Sequence, residues 1–410
     1  MSDDNINSPS ESFRPPVTPI TPPELRPAPW VQLKYFTYHP HIYRNMIGAT
    51  SGSIRAGALV GVYDKDGRAF GTGFCNLGAK VALRIFKHGA ERVDEDFCLD
   101  VLRRAALFRR DWLRLDDATN AYRVIHADGD GVGGLVVDRY DDTLSVEITS
   151  LAVFQRLTRW LPVLHEALGT RQAVIQVDEG IARIEGIDPR LIPTPTVRSV
   201  KIKENGVRYG VDFADGHKTG FFCDQRDNRA RLAALCKGRT FMELCCYTGG
   251  FAIGAKLAGA GDVTAVDLDE KAIAQAKTNA NLNQTRVNFV HADAFSYARQ
   301  MIRNGSSWNV VLLDPPKFID GRDAFDTGTK KYNDLNVLGL QLVSPGGLFV
   351  TCSCSGLLSP DAFEEIVIKA AHRYGKRLQI FDRTGAGADH PAFSNYPESR
   401  YLKVLWARVL

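Results

Sequence analysis

The chain has 410 residues, 44% of them hydrophobic and 24% charged, with a net charge of +4. That length exceeds one ordinary core, so two or three domains are expected, while so small a charge permits a polyanionic partner without demanding one. The eight cysteines, two of them adjacent (Cys245 and Cys246), match neither a disulfide framework nor the paired spacing of a structural zinc site, so no metal is expected, and no apolar run approaches the ~20 residues of a membrane span. With no secretory leader read either, a soluble, reduced protein of the cytoplasm without membrane contact is expected.

Residues 1–29 are crowded with prolines (Pro15, Pro16, Pro19, Pro22, Pro23, Pro27, Pro29) and poor in apolar residues, the composition of a disordered leader. From residue 30 to 98, short apolar runs ("GALVGVY", "AFGTGFC", "VALRIF") separated by turn residues such as "DKDG" predict a small β-barrel. A helical segment over residues 96–115 carries Arg103, Arg110 and Arg114 on one face, which reads as a solvated face ahead of a phosphate-tracking stripe. The strands "YRVIHA", "GLVVDRY" and "LSVEITS", a helix over 154–168 and the strand "AVIQVD" complete an α+β middle domain, residues 99–196. From 197 to 410 a hairpin is followed by alternating strand and helix patterns, which predict a doubly wound, Rossmann-like parallel sheet.

That last region carries a ligand site. The strand "TFMEL", the loop "CCYTGG" and the helix "FAIGAKLAG" place Tyr247, Thr248 and Gly249 at a strand-to-helix turn, where backbone can approach a ligand. Successive strands then end in Asp267, Asp293 and Asp314, separated by 26 and 21 residues, one strand-helix repeat each, and a parallel sheet gathers such ends at one edge. Asp267 lies 24 residues after Glu243, the distance of a carboxylate accepting both hydroxyls of a ribose. Phe251 stands where a dinucleotide fingerprint needs its second glycine and would block a pyrophosphate, so an adenosine ligand without one, S-adenosylmethionine, fits better. In "DPPKF" the prolines stiffen the loop that holds Asp314 where it could contact a base.

"GGLFVTCSCSG" ends a strand with two cysteines on one face. Cys352 should still lie among buried sheet residues, whereas Cys354, followed by Ser355 and Gly356, reaches the rim. Cys245 and Cys246 read as packing residues, and His217, His291 and His390 as locally satisfied histidines that could also serve as acid or base.

Taken together, "GHKTGFFCDQRDNR", "YTGGFA", "VDLDEKA", "DPPKF", "GGLFVTCSCSG", "ADHP" and "YPESRYLK" make the chain similar to the bacterial large-subunit ribosomal RNA methyltransferase I family, which makes 5-methylcytosine. "GDGVGGLVVDRY" resembles the start of that family's middle domain. The resemblance implies a PUA domain for the barrel, a class I methyltransferase fold for residues 197–410, S-adenosylmethionine as cofactor and large-subunit ribosomal RNA as partner. It further implies Cys354, the cysteine of "CSG", as nucleophile and Phe222, Gln225 and Arg226 as part of a cofactor-covering segment. Asp314 would polarise the cytosine. Lys317 stands where other RNA cytosine methyltransferases carry a second cysteine, and water and Lys317 are both open as the base that removes the final proton. A ribosomal RNA base-nitrogen methyltransferase, which would not need Cys354, and a catalytically silent RNA-binding assembly factor stay open beside this reading. Oligomeric state is also open, a homodimer being one option.

Overall fold

The computed structural model describes residues 18–213 and 220–410; residues 1–17 of the expected leader, and His217, lie outside these. Two compact units divide the chain, Met1–Asp94 and Glu95–Leu410.

In the first unit six strands form one sheet, in the order His41–Tyr43, Val81–His88, Ala69–Cys75, Ala58–Tyr63, Trp30–Leu33, Ile47–Thr50. Alternation puts Val31, Leu33, Ile42, Val60, Val62, Leu83 and Ile85 into its core. The "DKDG" turn forms because the Asp64 carboxylate accepts from the Asp66 and Arg68 amides, at 2.9 and 2.8 Å, and Gly67 takes φ +83°. Residues 18–29, expected in the disordered leader, are placed against this sheet. Thr21 N–H donates to the Gly67 carbonyl at 2.9 Å, and the Arg26 guanidinium lies 4.8 Å from the Trp30 ring and 4.4 Å from that of Tyr63. A cation over two aromatic rings supplies burial that a count of apolar residues overlooks.

The second unit opens with a helix, Glu95–Leu107, that runs through a π-turn at Phe108–Trp112 and stops, so Arg114 (φ +50°) is not on it. Arg103, Arg110 and Arg114 each pair with a neighbouring acid, Asp100, Asp111 and Asp117, as a solvated face does. A four-stranded sheet follows in the order Gln172–Gln176, Thr143–Ile148, Leu135–Tyr140, Ala121–His126, and the helix Leu151–Leu168 packs on Glu95–Leu107. This module is not set apart from the C-terminal sheet as the division at residue 196 supposes. The buried Arg109 binds Asp130 and donates to the Asp389 carbonyl at 2.7 Å, Arg123 N–H donates to the Asp389 carboxylate at 3.0 Å, and the Tyr140 hydroxyl donates to the Phe221 carbonyl at 2.9 Å.

Seven strands make the C-terminal sheet, here β1 (Phe241–Leu244), β2 (Val263–Asp267), β3 (Asn288–His291), β4 (Trp308–Leu313), β5 (Val343–Ser353), β6 (Leu378–Thr384) and β7 (Lys403–Val409). Their order is β3-β2-β1-β4-β5-β7-β6, the first five parallel and β7 antiparallel to both neighbours. β1 and β4 carry apolar residues on both faces because helices cover both. The chain reverses strand order on either side of β1, and ligands of such sheets bind at the carboxyl edge there.

Candidate active site

At the end of β1 the chain makes a tight loop in which Cys245 (φ 68°), Tyr247 (φ 47°) and Gly249 (φ 80°) all adopt left-handed backbone before the helix Gly250–Leu257 begins. A Cβ at Gly249 would lie 2.9 Å from the Phe289 ring. Non-glycine residues in this region cost about 1–2 kcal/mol each, strain that clusters at ligand-binding turns. Glu243 is 1% exposed and accepts from the Ala252 amide at 2.9 Å, tying the strand to this helix; burial, and then the Asp314 charge, push its carboxyl well above the usual range. At the end of β2 the two oxygens of Asp267 accept from the amides of Tyr247 (2.7 Å) and Asp269 (2.9 Å). Each oxygen keeps a lone pair, so Asp267 holds the loop and can still accept two hydroxyls. Asp293 caps the helix Ala294–Arg303 through the Ser296 amide at 2.9 Å. Thr248 is buried, with its carbonyl accepting from Asn279 at 3.1 Å. A bent backbone loop beside carboxylates with spare lone pairs suits a nucleoside with vicinal hydroxyls.

Past β1 the edge changes character. Leu313 pairs with Thr351, so Asp314 and Cys352 lie level across β4 and β5. The Gln225 amide donates to both Asp314 oxygens at 3.1 Å, and its own carbonyl oxygen accepts from Asn228 at 2.7 Å. Burial, reinforced by the Asp224 charge, pushes the Asp314 carboxyl up to about 7. Cys352 is fully buried; burial, and then the charge of Asp314, raise its thiol well above the ordinary range. β5 ends at Ser353, and Cys354 follows, half-buried, its thiol 3.9 Å from the Pro315 carbonyl. Both cysteines pack on the same cluster, as alternation requires. Ser355, just beyond, accepts through its backbone carbonyl from the buried Lys403 ammonium at 2.6 Å, and its hydroxyl bonds Tyr332 at 2.9 Å. The strand end beside Cys354 is therefore pinned from both layers.

Comparison with known proteins gives the family of the chain. The family model for S-adenosylmethionine-dependent methyltransferases matches residues 190–401, and that for PUA-like domains matches residues 34–88. Ribosomal RNA large subunit methyltransferase I of Shewanella denitrificans is 35% identical over 90% of this chain and 95% of its own length. The Vibrio cholerae protein of the same name is 33% identical over 91% and 96%. The chain belongs to the ribosomal RNA large subunit methyltransferase I family. The fold is that of the crystal structure of SMU.776 complexed with SAH (TM-score 0.77, 22% identity, 92% of this chain and 99% of that one). This family member is thus an S-adenosylmethionine-dependent methyltransferase with a PUA-like N-terminal domain.

In this methyltransferase the other residues expected at the site are placed unevenly. Phe222 is exposed and meets the Tyr247 ring edge-on at 5.1 Å, beside the loop that follows β1. Arg226 is buried and turned to Asp389, at 2.8 and 3.1 Å, so its guanidinium serves the protein interior. Lys317 stands on the surface, 4.0 Å from Asp320. His390 is buried, 3.2 Å from Asp389, and the ring of His291 contacts the Leu268 carbonyl at 2.9 Å. Cys245 and Cys246 are raised well above the ordinary thiol range by burial, as packing residues are. Among the described residues no group of acids, histidines and cysteines could hold a metal, and no helix is long and apolar enough to cross a membrane. Asp224, Asn228, Tyr401 and Lys403 went unremarked in the sequence. Their only signal was membership of the motifs "CDQRDN" and "RYLK", because each contacts residues scores of positions away.

Proposed function

We propose that this methyltransferase forms 5-methylcytosine in large-subunit ribosomal RNA, with Cys354 as nucleophile. The observation that carries the reading is the contrast between Cys352, inside β5, and Cys354, just past its end. Cys352 is sealed in the sheet with its thiol held protonated, whereas Cys354 stands half-open beyond the strand end, over the loop of Asp314.

Carbon 5 of cytosine is a weak nucleophile. Addition of the Cys354 thiolate to carbon 6 makes an enamine whose electron pair lies at carbon 5. Bound S-adenosylmethionine supplies the methyl group as an electrophile. Asp314, with its carboxyl near 7, can share a proton with the ring nitrogen and accept from the exocyclic amine, drawing electron density from carbon 6 as sulfur adds. Gln225 keeps that carboxyl aimed. Loss of the carbon 5 proton to water or Lys317 then lets the carbon–sulfur bond break, returning the thiolate. Glu243, Tyr247, Thr248, Gly249 and Asp267 are assigned to the cofactor's adenosine, with Asp293 beside the base and Phe222, Gln225 and Arg226 in the covering segment, Arg226 by positioning that segment. The target base must be single-stranded or flipped out for either face to be reached, and the PUA-like unit is assigned to gripping the RNA around it.

RNA carrying 5-fluorocytosine blocks the last proton loss. With cofactor, wild type and Cys352→Ala should accumulate a covalent protein–RNA adduct, and Cys354→Ala should not. An adduct or full methylation by Cys354→Ala would remove the reading and favour nitrogen methylation. Cofactor binding with no modified nucleoside in any ribosomal RNA would favour an assembly factor.

A further inference from the structure

A second carboxylate lies close to Asp314, next in the chain to the Gln225 that holds it. Asp224, in the turn Cys223–Gln225, is 8% exposed. Its Oδ2 accepts from the Tyr401 hydroxyl at 2.5 Å, while its Oδ1 is buried with no hydrogen-bond partner among the described residues. Leaving a charged acceptor buried and unmatched is expensive, and native proteins rarely do so unless water or a ligand completes the bond. The missing partner must therefore carry an N–H or O–H.

Its position says which ligand. The Asp224 carbonyl accepts from the Gly387 amide at 3.0 Å, and Tyr401 lies two residues before β7, so Asp224 is fastened to the β6–β7 end of the sheet. In the strand order that end lies beyond β5, across β4 from the carboxylates of β1 and β2. Asp224 is also close enough for its charge to act on Asp314. The orphaned oxygen thus belongs to the part of the sheet edge that holds Asp314 and Cys354, where the target base would lie, and not to the ribose end.

We propose that Asp224 is a specificity-determining residue that accepts a hydrogen bond from the exocyclic amine of the target cytosine. This rests on the cytosine reading above. The amine carries two N–H groups; Asp314 takes the one beside the ring nitrogen and Asp224 takes the other. Uracil would present a carbonyl oxygen to the same carboxylate, acceptor against acceptor, and be rejected.

The test uses the full-length protein and two RNAs that differ only at the target, one with cytosine and one with 2-pyrimidinone, the same ring lacking the amine. Wild type should prefer cytosine. Asp224→Ala and Asp224→Leu should lose about tenfold or more in kcat/KM on cytosine and little on 2-pyrimidinone, so that the preference shrinks by that factor. Tyr401→Phe, which spares Oδ1, should keep it, and S-adenosylmethionine affinity by calorimetry should hold in all three. Thermal unfolding identifies which variants are folded. An unchanged preference in a folded Asp224 variant overturns the proposal, as does a fall in cofactor affinity with the preference intact, which would assign the oxygen to the cofactor's ammonium group. If wild type makes no 5-methylcytosine, the cytosine reading fails and the proposal with it; if wild type makes it and the Asp224 variants discriminate as before, the proposal alone fails.

Discussion

Cys352 and Cys354 stand two residues apart on one face, yet desolvation separates their chemistry. Native protein treated with iodoacetamide should be alkylated at Cys354 well before Cys352, as peptide mass spectrometry would show; equal rates would mean that β5 opens to its buried thiol. Asp314 offers a second check through stability. Its carboxyl is raised in the folded state from 3.8 to about 7, so between those values the folded protein holds a proton that the unfolded chain has released. Stability from this group is present below about pH 4, falls as pH rises toward 7 and is then level, a loss of up to roughly 4 kcal/mol. Urea unfolding from pH 4 to 8 should show a shallower decline in Asp314→Asn, and parallel curves would contradict the buried-acid picture. For the cofactor, Asp267→Ala should weaken S-adenosylmethionine binding by about 1.5–3 kcal/mol per lost hydroxyl bond. Calorimetry measures it. Unchanged affinity in a folded variant would place the ribose elsewhere.

At the scale of elements, the strand-to-helix turns were legible because each is written locally. Gly249 after "FMEL", Asp269 and Asp293 before their helices, and Ser359 before Pro360 all occupy the positions that turn and cap geometry demands. The buried ionic knot was not legible, since its partners come from distant segments. Asp389 receives Arg226, the Arg123 amide and His390, while its carbonyl receives Arg109. It thereby locks the middle sheet and the segment before the helix Arg226–Leu235 onto the "ADHP" loop. Asp389→Ala leaves buried Arg226 with only the exposed Asp227 as counter-charge and should cost about 3–5 kcal/mol in chemical unfolding. A loss below about 1 kcal/mol would show that water reaches the knot.

For the whole molecule, the boundary after Asp94 sets apart the PUA-like unit. Removing residues 1–94 should weaken RNA binding and flatten its salt dependence while leaving S-adenosylmethionine affinity alone, because phosphate contacts would be shared between the two units. An unaltered log–log salt slope would mean that residues 95–410 hold the RNA unaided. The sequence by itself determined the layout, from a small β unit to a doubly wound sheet with acids ending its strands, and it marked Cys354 as a rim cysteine. Those properties depend on hydrophobic period, turn residues and spacing, all local along the chain. Only the tertiary structure decided that Asp314 sits level with Cys352, that Arg226 faces Asp389, that residues 18–29 pack on the first sheet, and that one oxygen of Asp224 finds no donor among the described residues. Each of these depends on which distant segments share a buried space. Desolvation there dictates pairing, and linear spacing carries no record of it.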